Sequence, residues 1–103
     1  MREVNMEDKK IQVKANITYD ELSELLQMYL DAGAVHAAME CCEALITENN
    51  PYGYLFQGFI YEEGSGSIAC DLAKALWCYE KAKEFGIDVE RDILLLKNKM
   101  QKK

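Results

Sequence analysis

Hydrophobic side chains recur at helical spacing along the chain from Ile17 onwards. In the first predicted helix the apolar residues stand three or four positions apart, so they share one face of an α-helix. They are Leu22, Leu25, Leu26, Tyr29 and Leu30. Thr18 and Glu21 have the spacing of a capping box ahead of this stripe, and Gly33 follows it as a left-handed stop. The pattern predicts a helix over about residues 19–32.

Four further helices follow from patterns of the same kind. The second helix ends near Asn49 and Asn50, because Pro51 disfavours helical geometry in the residue before it. Pro51 in turn suits the first position of a third helix that Asn50 caps. Asp71 is a good N-cap for a fourth helix, and Asp88 begins a fifth. Since the turns are short and no strand hairpin is indicated, the sequence predicts an all-α fold.

The predicted helices form two similar pairs. Residues 30–33 correspond to residues 61–64 at an offset of 31, and residues 38–42 correspond to residues 75–79 at an offset of 37. The second pair therefore has a turn about six residues longer than the first. Paired helices that repeat at this period are typical of a helical solenoid.

The second pair carries a recognisable motif. Residues 57–66 have the sequence QGFIYEEGSG and residues 71–82 have DLAKALWCYEKA, with a closing glycine at Gly86. In its glycines, its Lys-Ala pairs and its aromatic positions, this segment resembles a Sel-one-like repeat (SLR). This repeat is a relative of the tetratricopeptide repeat with a longer turn between its two helices. The resemblance covers residues 53–86, about a third of the chain.

The resemblance implies how the chain is organised. We expect a mobile N-terminal arm over residues 1–16 and one helical-repeat domain over residues 17–103. Within that domain, residues 17–50 form a plainer tetratricopeptide-like pair, residues 51–86 form the SLR, and residues 87–103 form a helix that caps the open end. The expected fold is thus a short right-handed α-solenoid of two helix-turn-helix repeats plus a C-terminal capping helix.

Single positions of the SLR also carry expectations. Gly58 would let the facing helix approach closely. Gln57 stands where leucine is usual, Gly53 where alanine is usual, and Cys78 where an aromatic residue is common. These departures predict looser packing. For Trp77 we expect a place in the core or between repeats, in preference to one at a partner interface.

Charge is distributed unevenly along the chain. The formal net charge is −6, and no lysine or arginine occurs between Lys14 and Lys74. The carboxylates of that block are Asp20, Glu21, Glu24, Asp31, Glu40, Glu43, Glu48, Glu62, Glu63 and Asp71. A field of one sign attracts cationic surfaces and repels phosphate backbones. The expected partner is therefore a protein or peptide with a basic surface, and neither a nucleic acid nor a membrane.

In tetratricopeptide-like folds the first helix of each pair lines a concave surface, so the resemblance implies a groove between the first and third helices. The implied partner-binding residues are Tyr52, Leu55, Phe59 and Glu62 on the third helix and, by the offset of 31, Glu21, Glu24, Met28 and Asp31 on the first. Such a face is acidic with apolar anchors and suits a peptide that carries Lys or Arg beside hydrophobic residues. The alternative is that Leu55 and Phe59 belong to the core and the carboxylates form a solvated face.

Catalytic chemistry has little support in the sequence. His36 is the one histidine, and the two or three ligands that its helix offers, with Glu40, do not complete a structural zinc site. No C-x-x-C pair occurs, and Cys42 and Cys78 fall on apolar stripes where a thiol acts as a small hydrophobic group. An enzyme would need a pocket that joins His36 to Cys41, Cys42 or Cys78. We predict no enzyme activity, no cofactor and no metal site.

The resemblance implies a non-catalytic adaptor or scaffold that binds proteins. We expect it in the cytoplasm, because no apolar run has the form of a signal peptide or a membrane span. The alternative is an inhibitor or immunity-type protein that neutralises one basic target, such as a nuclease toxin, because the acidic block mimics a polyanion. Residues 93–96 and Met100 also exceed a single apolar stripe, which predicts a homodimer through the C-terminal helix.

Overall fold

The computed structural model describes residues 17–102, so the arm predicted over residues 1–16 lies outside the described residues. The described part contains five α-helices, and its one pair of strand-like hydrogen bonds is an isolated bridge between Ser65 and Ile68. The helices are α1 (Tyr19–Asp31), α2 (Val35–Thr47), α3 (Tyr52–Glu63), α4 (Leu72–Glu84) and α5 (Glu90–Gln101). The all-α prediction is confirmed. No helix within residues 17–102 is long and apolar enough to cross a membrane.

Local hydrogen bonds explain where the helices begin. The Thr18 hydroxyl accepts from the backbone N–H of Glu21 at 3.1 Å, and the Glu21 carboxylate accepts from the backbone N–H of Thr18 at 3.1 Å. This completes the predicted capping box of α1. Asp71 caps α4 by accepting from the backbone N–H of Lys74 at 3.1 Å. The Asn50 side chain accepts from the N–H of Tyr52 at 3.0 Å, as the predicted cap does. The helical residues of α3 start at Tyr52, one residue later than predicted.

Each helix packs against the helices that precede and follow it in the chain. The central helix α3 lies very close to both of its neighbours. A Cβ atom built on Gly53 would lie 2.5 Å from the backbone oxygen of Cys42 in α2. A Cβ atom on Gly58 would lie 2.6 Å from Cδ1 of the buried Tyr79 ring in α4. The expectation of close approach at Gly58 is confirmed, and the expectation of looser packing at Gly53 is wrong.

The last helix is only half covered. α5 buries Ile93 and Leu96 but leaves Leu94, Leu95 and Met100 exposed. The excess of apolar residues noted in the sequence therefore lies on the surface of the single chain. The homodimer through this helix stays a prediction.

Candidate protein-binding groove

A groove runs between α1 and α3, the first helices of the two pairs that the sequence predicts. It encloses a cavity of about 300 Å³. The lining residues are Tyr19, Ser23, Leu26, Gln27, Leu30, Phe56, Phe59, Ile60, Glu63, Gly64 and Ser65. Most of these side chains are apolar or aromatic, and Ser23, Gln27 and Glu63 supply polar groups among them. A concave apolar site with a few polar groups is the usual form of a binding pocket.

Aromatic rings in contact form one wall of this groove and continue into the core. The Tyr19 ring lies 5.7 Å from the Tyr52 ring and 5.3 Å from the Phe56 ring, centroid to centroid. Phe56 meets Phe59 edge-to-face at 5.2 Å, and Phe59 lies 5.8 Å from the buried Tyr79 ring. Each such contact favours one relative orientation of the rings. The wall is therefore held in place before any partner binds.

The α1 residues that were predicted to line the groove lie on a different face of that helix. Glu21, Glu24, Met28 and Asp31 are all exposed, Met28 by 65 %. Their face is rotated about a third of a turn from the face that lines the groove. None of the four lines the cavity between α1 and α3. Their contact with a partner stays a prediction.

The four α3 residues have different environments. Phe59 lines the groove as predicted. Tyr52 is not among the lining residues, but its half-buried ring contacts that of Tyr19, which is one of them. Leu55 is only 4 % exposed and belongs to the hydrophobic core. This burial favours the alternative that Leu55 is a core residue, and its contact with a partner stays a prediction.

Glu62 serves the interior of the fold. One carboxylate oxygen accepts from the Tyr79 hydroxyl at 2.6 Å, and the other lies 2.7 Å from Nζ of Lys99. These contacts tie α3 to α4 and α5, and the Glu62 side chain is only 15 % exposed. Lys99 also lies 3.7 Å from the Glu63 carboxylate. Both oxygens of Glu62 are thus engaged within the chain, which leaves it poorly suited to hold a partner.

The environment of this carboxylate changes several pKa values. Burial alone would raise the pKa of Glu62, but hydrogen bonds from Lys99 and Tyr79 and the charge of Lys99 lower it below its ordinary value. Burial, and then the bond to Glu62, raises the pKa of Tyr79. Burial and the nearby Glu62 charge raise the pKa of Asp92. Glu62 is therefore ionised and Tyr79 is a neutral donor around pH 7.

His36 makes a contact that the sequence did not suggest. Its Nε2 lies 2.9 Å from the Ser67 hydroxyl, which joins α2 to the loop before α4. Among residues 17–102, no group of three or more His, Cys, Asp or Glu side chains could hold a metal ion.

Three of the four cysteines are core residues. Cys41, Cys42 and Cys78 are buried, whereas Cys70 is exposed, and none forms a disulfide. Burial raises the pKa of Cys41 and of Cys78 to about 11 and raises that of Cys42 further. Such thiols are protonated at pH 7 and are poor nucleophiles.

We expect native protein at about pH 8 to react with a thiol-specific disulfide reagent at one rapid site per chain. That site is Cys70, because it is exposed. Burial raises the pKa of Cys41 and of Cys78 from 9.0 to about 11, so each forms about 100-fold less thiolate than a thiol with the ordinary pKa, and both are also shielded from the reagent. The measurement is the number of thiols modified over time, without and with denaturant. Cys70→Ser is the control and removes the rapid phase. Two or more rapid thiols in the native protein would contradict this assignment.

A second exposed surface was missed in the sequence. Trp77 is 54 % exposed, so the expectation that it packs in the core or between repeats is wrong. It lies edge-on to Tyr54 at 5.9 Å, and Tyr54 also stacks on the exposed ring of Phe85. The spacing of Trp77, Lys81 and Phe85 by four residues was a signal for a shared face of α4. The resemblance to an SLR instead implied that such aromatic residues pack between repeats.

The groove has the form of a binding site, with preformed walls and no buried polar side-chain atom left without a hydrogen bond in the described residues. The surface around Trp77 is exposed and rich in aromatic rings. The resemblance of residues 53–86 to an SLR stays a prediction. No family model matches the chain, and neither a curated protein nor a solved structure matches it significantly.

Proposed function

We propose that this protein is a non-catalytic protein-interaction module, an adaptor or scaffold, that binds a basic, apolar-anchored segment of a partner in the α1–α3 groove. The observation that carries the proposal is the apolar cavity between these helices. Its size suits one or two apolar side chains of a peptide. The Glu63 carboxylate lines it, and Asp31 accepts a hydrogen bond from the lining residue Gln27 at 2.8 Å. Aromatic walls and charged surroundings are the usual means by which such grooves combine affinity with selectivity.

We further infer that the five helices form a short right-handed solenoid of the SLR type. Two observations support this arrangement. Successive helices pack in chain order, from α1 through to α5. The groove also brings together α1 and α3, as stacked helix pairs do with their first helices. In this arrangement α5 covers one end of the stack.

Charge supports a basic partner. Asp20, Glu24 and Asp31 are exposed on α1, and Glu63 lines the groove from α3. The nearest cation that pairs with Glu63 is Lys99, which is shared with Glu62. A partner with Lys or Arg beside its apolar anchors would therefore approach an attractive field that salt weakens.

We expect selection from a library of random peptides about twelve residues long, displayed on phage, to enrich sequences with Lys or Arg beside Leu, Ile or Phe. Ser23→Phe should weaken the binding of these peptides at least tenfold, about 1.4 kcal/mol, because the new ring fills the cavity. Thr47→Phe is the matched control, since it adds the same ring at an exposed position of α2 outside the groove. Titration calorimetry with resynthesised peptides gives both affinities.

The acidic surroundings are tested in the same assay. Glu24→Lys together with Asp31→Lys should weaken binding several-fold at about 0.1 M salt and much less at about 0.5 M. Peptides that bind Ser23→Phe as well as they bind the natural chain would exclude the groove as the site. Equal affinity after the double charge reversal would exclude electrostatic attraction by α1.

The inhibitor role is the second candidate, favoured by the exposure of the acidic side chains. Glu40 and Glu43 are exposed on α2, in addition to the exposed acidic side chains of α1. The acidic surface is therefore broader than the groove. A single tight complex whose affinity falls steeply with salt would favour an inhibitor of one basic target. Moderate affinity for several peptides would favour the adaptor.

A further inference from the structure

A second surface lies on the far side of α3 from the groove. The groove side of α3 includes Phe56, Phe59 and Ile60, whereas Tyr54 and Tyr61 lie on the side that meets α4 near Trp77. We call this surface the α3–α4 aromatic patch. It consists of Tyr54, Tyr61, Lys74, Trp77, Lys81 and Phe85. Trp77 and Phe85 are 54 % and 59 % exposed, which is unusual for large aromatic side chains that lie together.

The rings of the patch hold each other in a fixed arrangement. Tyr54 and Phe85 stack with ring centroids 5.9 Å apart and planes within 4° of parallel. Trp77 meets Tyr54 edge-to-face, also at 5.9 Å and at an interplanar angle of 72°. These contacts limit the rotamers of all three side chains before binding. A rigid aromatic surface of this kind loses little conformational entropy when a partner covers it.

Two depressions flank the contact between Tyr54 and Trp77. The smaller, of about 110 Å³, lies between the α2–α3 turn and Phe85. The larger, of about 290 Å³, is lined by Gln57, Tyr61, Lys74, Trp77 and Cys78. Because Tyr54 borders one depression and Trp77 the other, the two rings form a ridge between them. A bound segment can place one apolar side chain on each side of this ridge.

Lysines supply the charge of the patch. Nζ of Lys81 lies 5.6 Å from the Trp77 ring centre and 6.0 Å from that of Phe85. Nζ of Lys74 lies 5.3 Å from the Tyr61 ring centre. Glu84 is 3.6 Å from Lys81 at the edge of the patch, in an exposed contact that contributes little. The two ammonium groups thus stand over aromatic faces beside the depressions, where carboxylates of a partner would pair with them.

We propose that the α3–α4 aromatic patch is a second docking site, and that it binds a protein segment in which Asp or Glu residues flank aromatic or aliphatic anchors. Its charge preference is opposite to that of the groove. The two sites lie on different sides of α3, so one chain can hold a basic segment and an acidic segment at the same time. The patch stands independently of the groove, since the two share no lining residue.

Trp77 is the only tryptophan of the chain, so its fluorescence reports directly on the patch. The test selects displayed random peptides against the full chain and keeps those that a Trp77→Ser variant does not retain. We expect these peptides to carry Asp and Glu beside Phe, Leu or Ile. Resynthesised without tryptophan, they should shift the emission of Trp77 to shorter wavelengths as they exclude water from its ring.

Matched variants sharpen the result. Lys74→Glu with Lys81→Glu should weaken the binding of these peptides at least tenfold, while Lys97→Glu, an exposed position on α5, should leave it within about twofold. Phe85→Ser should also weaken the binding of these peptides, and it leaves the fluorescent residue Trp77 unchanged. Circular dichroism melts show that each variant is folded. The variants change exposed side chains, except that Lys81 is only 31 % exposed.

Three outcomes would overturn the proposal. The first is the absence of any peptide that depends on Trp77, and the second is a set of dependent peptides that is basic or uncharged. The third is found without any peptide: the emission of Trp77 shifts as the protein concentration rises, and sedimentation gives the mass of two chains. That result would make a second copy the occupant of the patch. None of the three bears on the groove, whose peptides are identified by Ser23→Phe.

Discussion

We expect Gly53→Ala to lower the free energy of unfolding by about 3 kcal/mol, which corresponds to a fall of about 15 °C in Tm for a domain of this size. The new Cβ would lie 2.5 Å from the backbone oxygen of Cys42, 2.8 Å from Cγ1 of Ile46 and 3.0 Å from the backbone nitrogen of Ile46. Backbone atoms inside α2 cannot move aside without shifting the whole helix, so α2 and α3 would have to separate. An alanine at an unhindered helical position would instead stabilise the protein by up to about 1 kcal/mol.

Urea denaturation followed by circular dichroism measures this change. Gly58→Ala is a matched comparison in the same helix, since the three atoms nearest to its Cβ all belong to the ring of Tyr79. Removing that ring in Gly58→Ala/Tyr79→Leu should reduce the additional cost of the alanine. Ile46→Ala should not rescue Gly53→Ala, because the Cys42 carbonyl remains. A Gly53→Ala protein at least as stable as the natural chain would disprove the close α2–α3 contact.

The helices could be predicted because their signals are local. Thr18, Glu21 and Asp71 satisfy backbone groups within one turn of their own positions, so the starts of α1 and α4 depend on nearby residues. Gly33 has a φ of 76°, as its role after α1 requires. The close approach at Gly58 was also predicted, since a glycine within a helix face offers a neighbour room.

The rotation of helices about their axes could not be predicted in this way. Which face of α1 meets α3 depends on packing against α2, and a shift of one residue turns a face by about 100°. Met28 was predicted to line the groove but is exposed, and Ser23 lines the groove instead. Leu55 and Glu62 lie on the predicted helix at the predicted spacing. Leu55 is nevertheless only 4 % exposed, and Tyr79 of α4 and Lys99 of α5 engage the Glu62 carboxylate.

Gly53 shows how a family pattern and a single chain can differ. Where the usual repeat has alanine, the sequence indicated a small loss of packing. In the structure the missing methyl group is what allows α2 and α3 to touch through their backbones. Cys41 and Cys42, both fully buried, lie in the same part of α2. Small side chains at several positions together allow α2 and α3 to pack closely. Comparing one position at a time with the repeat pattern does not reveal this.

The Tyr79–Glu62 pair should contribute about as much to stability as a well-formed charged hydrogen bond. We expect Tyr79→Phe to lower the free energy of unfolding by about 2 kcal/mol, because Glu62 loses the donor at 2.6 Å and keeps only Lys99. Glu62→Ala should cost about 3 kcal/mol, since it also leaves the hydroxyl of a residue with 0 % exposure without its acceptor. The losses of unfolding free energy in the two single variants should not add in the double variant, because both substitutions remove the same hydrogen bond.

The same pair predicts a dependence on pH that distinguishes Glu62 from the surface carboxylates. Since the folded pKa of Glu62 lies below its value in the unfolded chain, near 4.3, its ionised form stabilises the fold above that pH. The stabilisation is lost as the pH falls through the folded pKa. The difference in stability between the natural chain and Glu62→Gln should therefore be largest near pH 7 and shrink towards about pH 3. Glu24→Gln, at an exposed position of α1, is the control and should show little difference at either pH. If Glu62→Gln were as stable as the natural chain at pH 7, the carboxylate would not hold α3, α4 and α5 together, and it would again be a candidate for contact with a partner.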